Sequence, residues 1–363
     1  MTSALLPAGF HDRLPPHADA AARLEACVLG TAFAHGYERV DPALAEFEEG
    51  LADRLKSARP QDVVRFVDPV SQKGLAIRPD ITAQVGRIAA TRMAHHPRPV
   101  RLSYAGPVLK LRASDLAPER ERHQVGCELI GRDGIAAARE VVEIAVEALR
   151  AAGIEGVSID FTLPDLVDVL AAGPLPVPAD RIDALRDRLD AKDAGGVAGI
   201  AADYLPLIAA AGPFDTALER LRGFDPALAS RLDGLAAVAA RLDVSLTLDP
   251  TERHGFEYQS WLGFSIFAAG VRGEIGRGGS YAVIHDGAEE PAVGFSLYVD
   301  PIVDAGIGTG ERRRLFVPLG ADPAAAARLR SEGWVTVAAL EPGDTAEAQL
   351  CTHILIDGQT RSV

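Results

Sequence analysis

Apolar residues recur at helical spacing through HADAAARLEACVLGTAFAHG (17–36), and Gly36 is placed to end that helix. YERVDPAL reads as a short strand running into Pro42. VVRFVDP and LAIRPD, joined through a turn at Gln72–Gly74, form a strand hairpin, and ITAQVGRIAATRMAHH gives a helix of about four turns. RPVRLSYAGPVLKL and HQVGCELIG are the two arms of a long antiparallel hairpin across the charged stretch SDLAPERERH. AAAREVVEIAVEALRAAG is an amphipathic helix, and VSIDFTL a strand. From about Leu170 to about Val244 a helical pattern punctuated by Gly and Pro takes over. Extended apolar segments then return in VSLTLDP, FEYQSWLGFSIFAAG and PAVGFSLYV. Strands on both sides of a helical insert imply one sheet assembled from distant segments, hence the α+β class. After Asp304 a Gly-rich link (AGIGTGE) leads to a small strand-helix-strand unit. The expected organisation is a core over 1–304, with the insertion at about 170–244, and a small α/β appendage over 305–363.

Composition narrows the class. The 363 residues are 48% hydrophobic and 24% charged, an ordinary globular balance. A net charge of -14 repels a phosphate backbone, which weighs against nucleic-acid binding. Only Lys56, Lys73, Lys110 and Lys192 supply lysine among 37 basic residues, a bias that carries no mechanism. Cys27, Cys127 and Cys351 lie far apart and lack metal-ligand spacing, so a reducing cytoplasm, no metal and no cofactor are expected. The N-terminus lacks a basic start followed by a long apolar core, and no apolar run reaches ~18 residues, so no membrane partner is expected.

Four blocks in order carry a resemblance: LAIRPDITAQVGR (75–87), YAGPVLKLRASDLAPERERHQVGCELIG (104–131), RHGFEYQSWLGFSIF (253–267), and GRGGSYAV followed by PAVGFSLYVDPI. Together they resemble the signature blocks of histidyl-tRNA synthetase and its relatives over roughly residues 7–304. Pro42 matches the dimer-forming first motif. The resemblance implies a class II aminoacyl-tRNA synthetase-like antiparallel sheet flanked by helices, and a pocket for histidine. The counterparts of the family's pocket residues are Asp80 and Thr82, then Gln124 and Glu128, then Glu257, Tyr258 and Tyr281. A zwitterionic amino acid needs oxygens for its ammonium, and an imidazole needs donors and acceptors, which this set supplies. Taken alone, each residue has a plainer role. Asp80 after Pro79 is by default a helix N-cap, Gln124 and Glu128 a surface polar pair on one strand face, and Tyr258 and Tyr281 core aromatics.

The same comparison shows losses. Adenylation needs fixed cations around the phosphates, and these are mostly arginines in the family. Lys110 stands where the second motif has arginine, and Arg112 where it has glutamate. His254 heads the histidine block in place of arginine, Ser280 replaces the arginine of GGSYA, and Pro301 that of the third motif. Lys110 and His254 remain in the expected ligand set, and Arg120 survives as a candidate anion contact. Each lost donor costs about 3 to 4 kcal/mol of transition-state stabilisation, so adenylate synthesis is not expected.

A synthetase-like fold that keeps the amino-acid pocket and drops the ATP cations resembles the regulatory subunit family of ATP phosphoribosyltransferase, the synthetase paralogue of histidine biosynthesis. The resemblance implies a protein without catalysis of its own and with a homodimeric core. Its partner is the short-form catalytic subunit, joined in a hetero-octamer, and L-histidine is the feedback effector. Two alternatives stay open. A divergent histidyl-tRNA synthetase predicts histidine-dependent pyrophosphate exchange. A stand-alone amino-acid-binding paralogue is allowed by Gln259, where the family often has a second tyrosine.

Overall fold

The computed structural model describes residues 6–48, 63–111, 119–253, 259–285, 287–310 and 312–363. The chain forms two compact units, Met1–Gly308 and Thr309–Val363. In the first, α1 (His17–Ala34) ends where Gly36 takes a φ of 83°, and Gly36 N–H donates to the Phe33 carbonyl at 2.9 Å. β1 (Glu38–Arg39) follows, then β2 (Ala45–Phe47), β3 (Arg65–Val67) and β4 (Gly74–Ile77), a three-stranded sheet with β4 in the middle. The expected hairpin is its β3–β4 half. The Asp68 carboxylate holds the turn by accepting from Val70 and Ser71 N–H, and Gln72 takes a φ of 56°.

α2 (Thr82–Thr91) is shorter than the pattern predicts. Arg98 ends it: its guanidinium donates to the carbonyls of Ala89, Met93 and His96, satisfying acceptors that a helix end leaves bare. β5 (Val100–Leu109) and β6 (Glu121–Ile130) are the long hairpin, paired from Val100↔Ile130 to Leu109↔Glu121. α3 (Ile135–Ala151) lays its apolar stripe on the sheet, and β7 (Ser158–Thr162) follows.

The insertion begins with α4 (Leu166–Ala171), α5 (Ile182–Asp190), α6 (Ala194–Ala201) and α7 (Leu205–Ala209). It continues through the two-residue β8 (Gly212–Pro213), α8 (Phe214–Arg222) and α9 (Ala229–Ala239). β9 (Ser245–Leu248), β10 (Gln259–Phe267), β11 (Gly276–His285), β12 (Ala288–Tyr298) and α10 (Val299–Asp304) complete the unit. Pro301 sits in the first turn of α10, where its missing N–H costs no helical bond. Among the described residues the main sheet has nine strands in the order β1-β5-β6-β12-β11-β10-β7-β9-β8. Its centre is antiparallel, with parallel pairs only at β1/β5 and β7/β9. This is the class II synthetase-like α+β architecture expected from the sequence.

Strand alternation gives this sheet two unlike faces. Val125, Cys127 and Leu129 of β6, Val293, Phe295 and Leu297 of β12, and Phe264 of β10 point into the large core under α1, α3 and the insertion. The intervening residues form the other face, which carries buried polar groups beside a smaller apolar cluster under α2 that includes Leu102, Ile130, Val283 and Ala292.

In the second unit, β13 (Arg314–Val317) lies parallel to β14 (Val335–Ala338) and β15 (His353–Ile356), with α11 (Pro323–Ser331) between β13 and β14. β16 (Gln359–Ser362) adds an antiparallel fourth strand beyond the expected unit. Asp322 caps α11 by accepting from Ala324 and Ala325 N–H. Leu315, Leu329 and Leu355 are its buried centre. The three cysteines are free thiols. Among the described residues no helix is long and apolar enough to cross a membrane, and no His/Cys/Asp/Glu group could hold a metal ion.

Candidate functional site

The polar face of the sheet carries the site. One cross-strand row runs Thr162 (β7), Gly263 (β10), Gly279 (β11), Gly294 (β12), Glu128 (β6) and Leu102 (β5). The three glycines leave its middle floored by bare backbone. Closeness requires glycine at 294, because a methyl there would overlap the Glu128 carboxylate.

Glu128 is 1% exposed. Its Oε1 accepts from Tyr104 OH at 3.0 Å and its Oε2 from Tyr281 OH at 2.7 Å. Burial raises this carboxyl to about 8, against the downward pull of hydrogen bonds from Tyr281, Tyr104 and Thr82. Burial, then the charges of Glu128 and Asp80, likewise holds the Tyr104 phenol well above its usual value.

Gln124, on the same face of β6, has its amide fully committed. Nε2 donates to Asp80 Oδ2 at 2.8 Å and Ser296 Oγ at 2.7 Å, while Oε1 accepts from Ile81 N–H at 3.0 Å. It is therefore a strut that ties the start of α2 to the sheet. Asp80 fastens the turn into α2, its Oδ1 accepting from Thr82 N–H at 2.8 Å, while its Oδ2 accepts from Gln124 Nε2. Thr82 Oγ1 lies 3.2 Å from Tyr104 OH. Asp80, Thr82, Gln124, Glu128 and Tyr281 thus belong to one hydrogen-bonded network.

Lys110 and Arg120 lie at the open end of the hairpin. Lys110 N–H donates to Arg120 O at 2.8 Å, and Arg120 Nε returns to Lys110 O at 3.2 Å. Lys110 is exposed, yet protein crowded around its ammonium, and then the cations Arg122 and Arg277, hold it below the usual lysine value. The Arg120 guanidinium lies 4.8 Å over the Phe10 ring and so helps fix the N-terminal segment. His254, Glu257 and Tyr258 lie outside the described residues. Gln259 opens β10 opposite Tyr281.

Ser280, where the family has arginine, lies on the other face. It pairs with Val293 and accepts at Oγ from Leu262 N–H at 3.0 Å, on the core-packed face. A side chain at 280 points away from Glu128, so the arginine expected at that position has no counterpart in this pocket.

Several residues of the network escape motif reasoning. Tyr104 and Ser296 share the parity of Gln124 across paired strands, a signal available only once the register is known. Arg78 is 3% exposed and donates to Pro107 O at 2.8 Å and Pro42 O at 2.7 Å, so it joins the hairpin to the Pro42 segment. Its signal is an arginine directly after the apolar strand β4. Farther along the face, Glu274 accepts from Arg277 and from Ser265 at 3.0 Å. Asp160 is raised to about 6 by burial, and further by Glu252 and Asp249, while its bond from Thr247 lowers it.

The comparisons with known proteins bear on the family and the fold. A family model described as histidyl-tRNA synthetase matches residues 9–302. A protein of Rhodospirillum centenum named ATP phosphoribosyltransferase regulatory subunit is 46% identical over 99% of this chain and 96% of its own. One of the same name from Paramagnetospirillum magneticum is 44% identical over 97% and 96%. A solved structure from Bacillus halodurans, titled as an ATP phosphoribosyltransferase regulatory subunit/histidyl-tRNA synthetase, superposes with a TM-score of 0.83 at 20% identity over 97% of each chain. The histidyl-tRNA synthetase of Nostoc does so at 0.78 and 16% identity over 97% and 91%, which speaks to fold alone. With a synthetase-like sheet, and with relatives of one name matched nearly end to end, the chain belongs to the ATP phosphoribosyltransferase regulatory subunit family.

Proposed function

We propose that this chain is the non-catalytic regulatory subunit of ATP phosphoribosyltransferase, and that the pocket around Glu128 binds L-histidine as feedback effector. The observation that carries the reading is the near full-length identity to proteins of that name. The network supports it chemically. Glu128 and Asp80 offer oxygens to an ammonium, and Thr82 and Tyr281 offer groups that both donate and accept. The His254, Glu257 and Tyr258 positions complete the set by resemblance, with Lys110 at its edge. Pro301, which has neither charge nor N–H, and His254, where the family has arginine, speak against adenylate chemistry.

In this reading the chain forms a homodimeric core through the Pro42 region and joins the short-form catalytic subunit in a cytoplasmic hetero-octamer. It enables that subunit and transmits histidine inhibition. Histidine must then bind one state of the complex better than the other, and the coupling is reciprocal. Co-purification with a short-form catalytic subunit, followed by assay with and without histidine, tests it. The expected result is activity that appears on mixing and falls with histidine. An unchanged catalytic subunit overturns the proposal.

A further inference from the structure

The helical insertion reaches the far end of the site-bearing face of the sheet through the turn after α5. Between α5 and α6 the chain reverses over Ala191–Asp193, with Lys192 at a φ of 55°. Asp193 fixes the turn, accepting from Gly196 N–H at 2.9 Å and pairing with Arg188 at 2.8 Å. From it, Lys192 Nζ reaches Asp249 Oδ1 at 2.7 Å and Thr251 Oγ1 at 2.6 Å. Two neighbours of the turn grip the same segment: Asp190 Oδ1 accepts from Arg253 N–H at 3.0 Å, and Leu189 O from Thr251 Oγ1 at 3.3 Å.

The opposite side of that segment is bonded to the sheet. Asp249 N–H donates to Phe161 O at 2.9 Å, and Thr162 Oγ1 donates to Glu252 O at 2.5 Å. Thr162 begins the row that runs through the three glycines to Glu128. The insertion therefore holds one end of the row in which the pocket carboxylate sits beyond the three glycines.

We propose that Lys192 is a positioning residue: by clamping Asp249–Arg253 between the insertion and β7, it couples the insertion to the amino-acid pocket and sets the pocket's affinity for its effector. This rests on the histidine reading given above. A contiguous chain of contacts supplies a route, and coupling has to be measured. Without the clamp the pocket has more arrangements to freeze on binding, so affinity falls while the fold stands.

The test is calorimetric titration of the full chain with L-histidine for the parent, Lys192→Ala, Lys192→Arg and Glu128→Gln. Hydrogen exchange is followed at the Thr251 and Arg253 amides. The expected result is a Kd raised by about 5-fold or more in Lys192→Ala, faster exchange at both amides, recovery in Lys192→Arg, and an unchanged thermal midpoint. If Glu128→Gln weakens binding while Lys192→Ala binds as the parent does, the coupling alone is overturned. If neither variant differs from the parent, the pocket assignment falls and takes the coupling with it.

Discussion

A carboxyl buried to 1% exposure with a pKa raised to about 8 keeps its proton at neutral pH. An arriving ammonium reverses that preference, because an opposite charge favours the ionised form. Histidine binding at about pH 6 to 7 is therefore expected to release close to one proton from Glu128. Titrations in two buffers of different ionisation enthalpy measure it, and identical heats would refute it. The same shift fixes a stability slope. Between the ordinary carboxyl value of 4.5 and the native value of about 8, the folded chain holds a proton that the unfolded chain has lost. Stability should fall by ~1.4 kcal/mol for each pH unit across that window from this group. Glu128→Gln should flatten the fall, as seen in urea midpoints taken from pH 5 to pH 8. Gly294→Ala is the steric counterpart. Its methyl needs the space of the Glu128 carboxylate, so a loss of about 1 to 3 kcal/mol is expected together with weakened histidine binding.

Elements whose ends are set locally were legible. Gly36 closes α1 by its own backbone, and the β5–β6 arms announce themselves by alternation across a charged loop. The end of α2 was not, because Arg98, which takes the carbonyls at that end, is itself anchored by Glu290 of β12. β2, whose partner β4 lies across residues 49–62, and β16 were missed for a related reason: short strands exist only through their partners. The pocket follows the same division. Asp80, Gln124 and Glu128 could be placed from blocks and parity, whereas only the observed β11–β12 register shows which of Ser280 and Tyr281 faces Glu128. Arg78 marks where the hairpin, the Pro42 segment and α2 meet. Arg78→Met would leave the Pro107 and Pro42 carbonyls without their donor. A destabilisation of about 2 to 4 kcal/mol in urea unfolding is expected, a buried acceptor without a partner costing ~1 to 3 kcal/mol.

For the whole molecule, the first unit has a continuous core from α1 through the insertion to α10, and the second has its own around Leu315, Leu329 and Leu355. A chain ending at Gly308 is expected to unfold cooperatively and to bind histidine with the Kd of the full chain. Calorimetry of both proteins checks this, and a loss of binding would give the second unit a part in the pocket. The net charge of -14 sets another expectation: association with the catalytic subunit should depend on ionic strength if basic surface on the partner steers it. On-rates measured from low to high salt decide the point.

The row Gly263–Gly279–Gly294 has a consequence for descent. A floor of peptide groups presents the same amide chemistry whatever residues surround it, and mutation cannot retouch it without first adding a side chain that fills the space. In the proposed histidine reading, changes in ligand preference are thereby confined to the walls at Asp80, Thr82 and Tyr281. On that reading, a lineage can exchange one amino acid for another as its signal while inheriting an unaltered sheet.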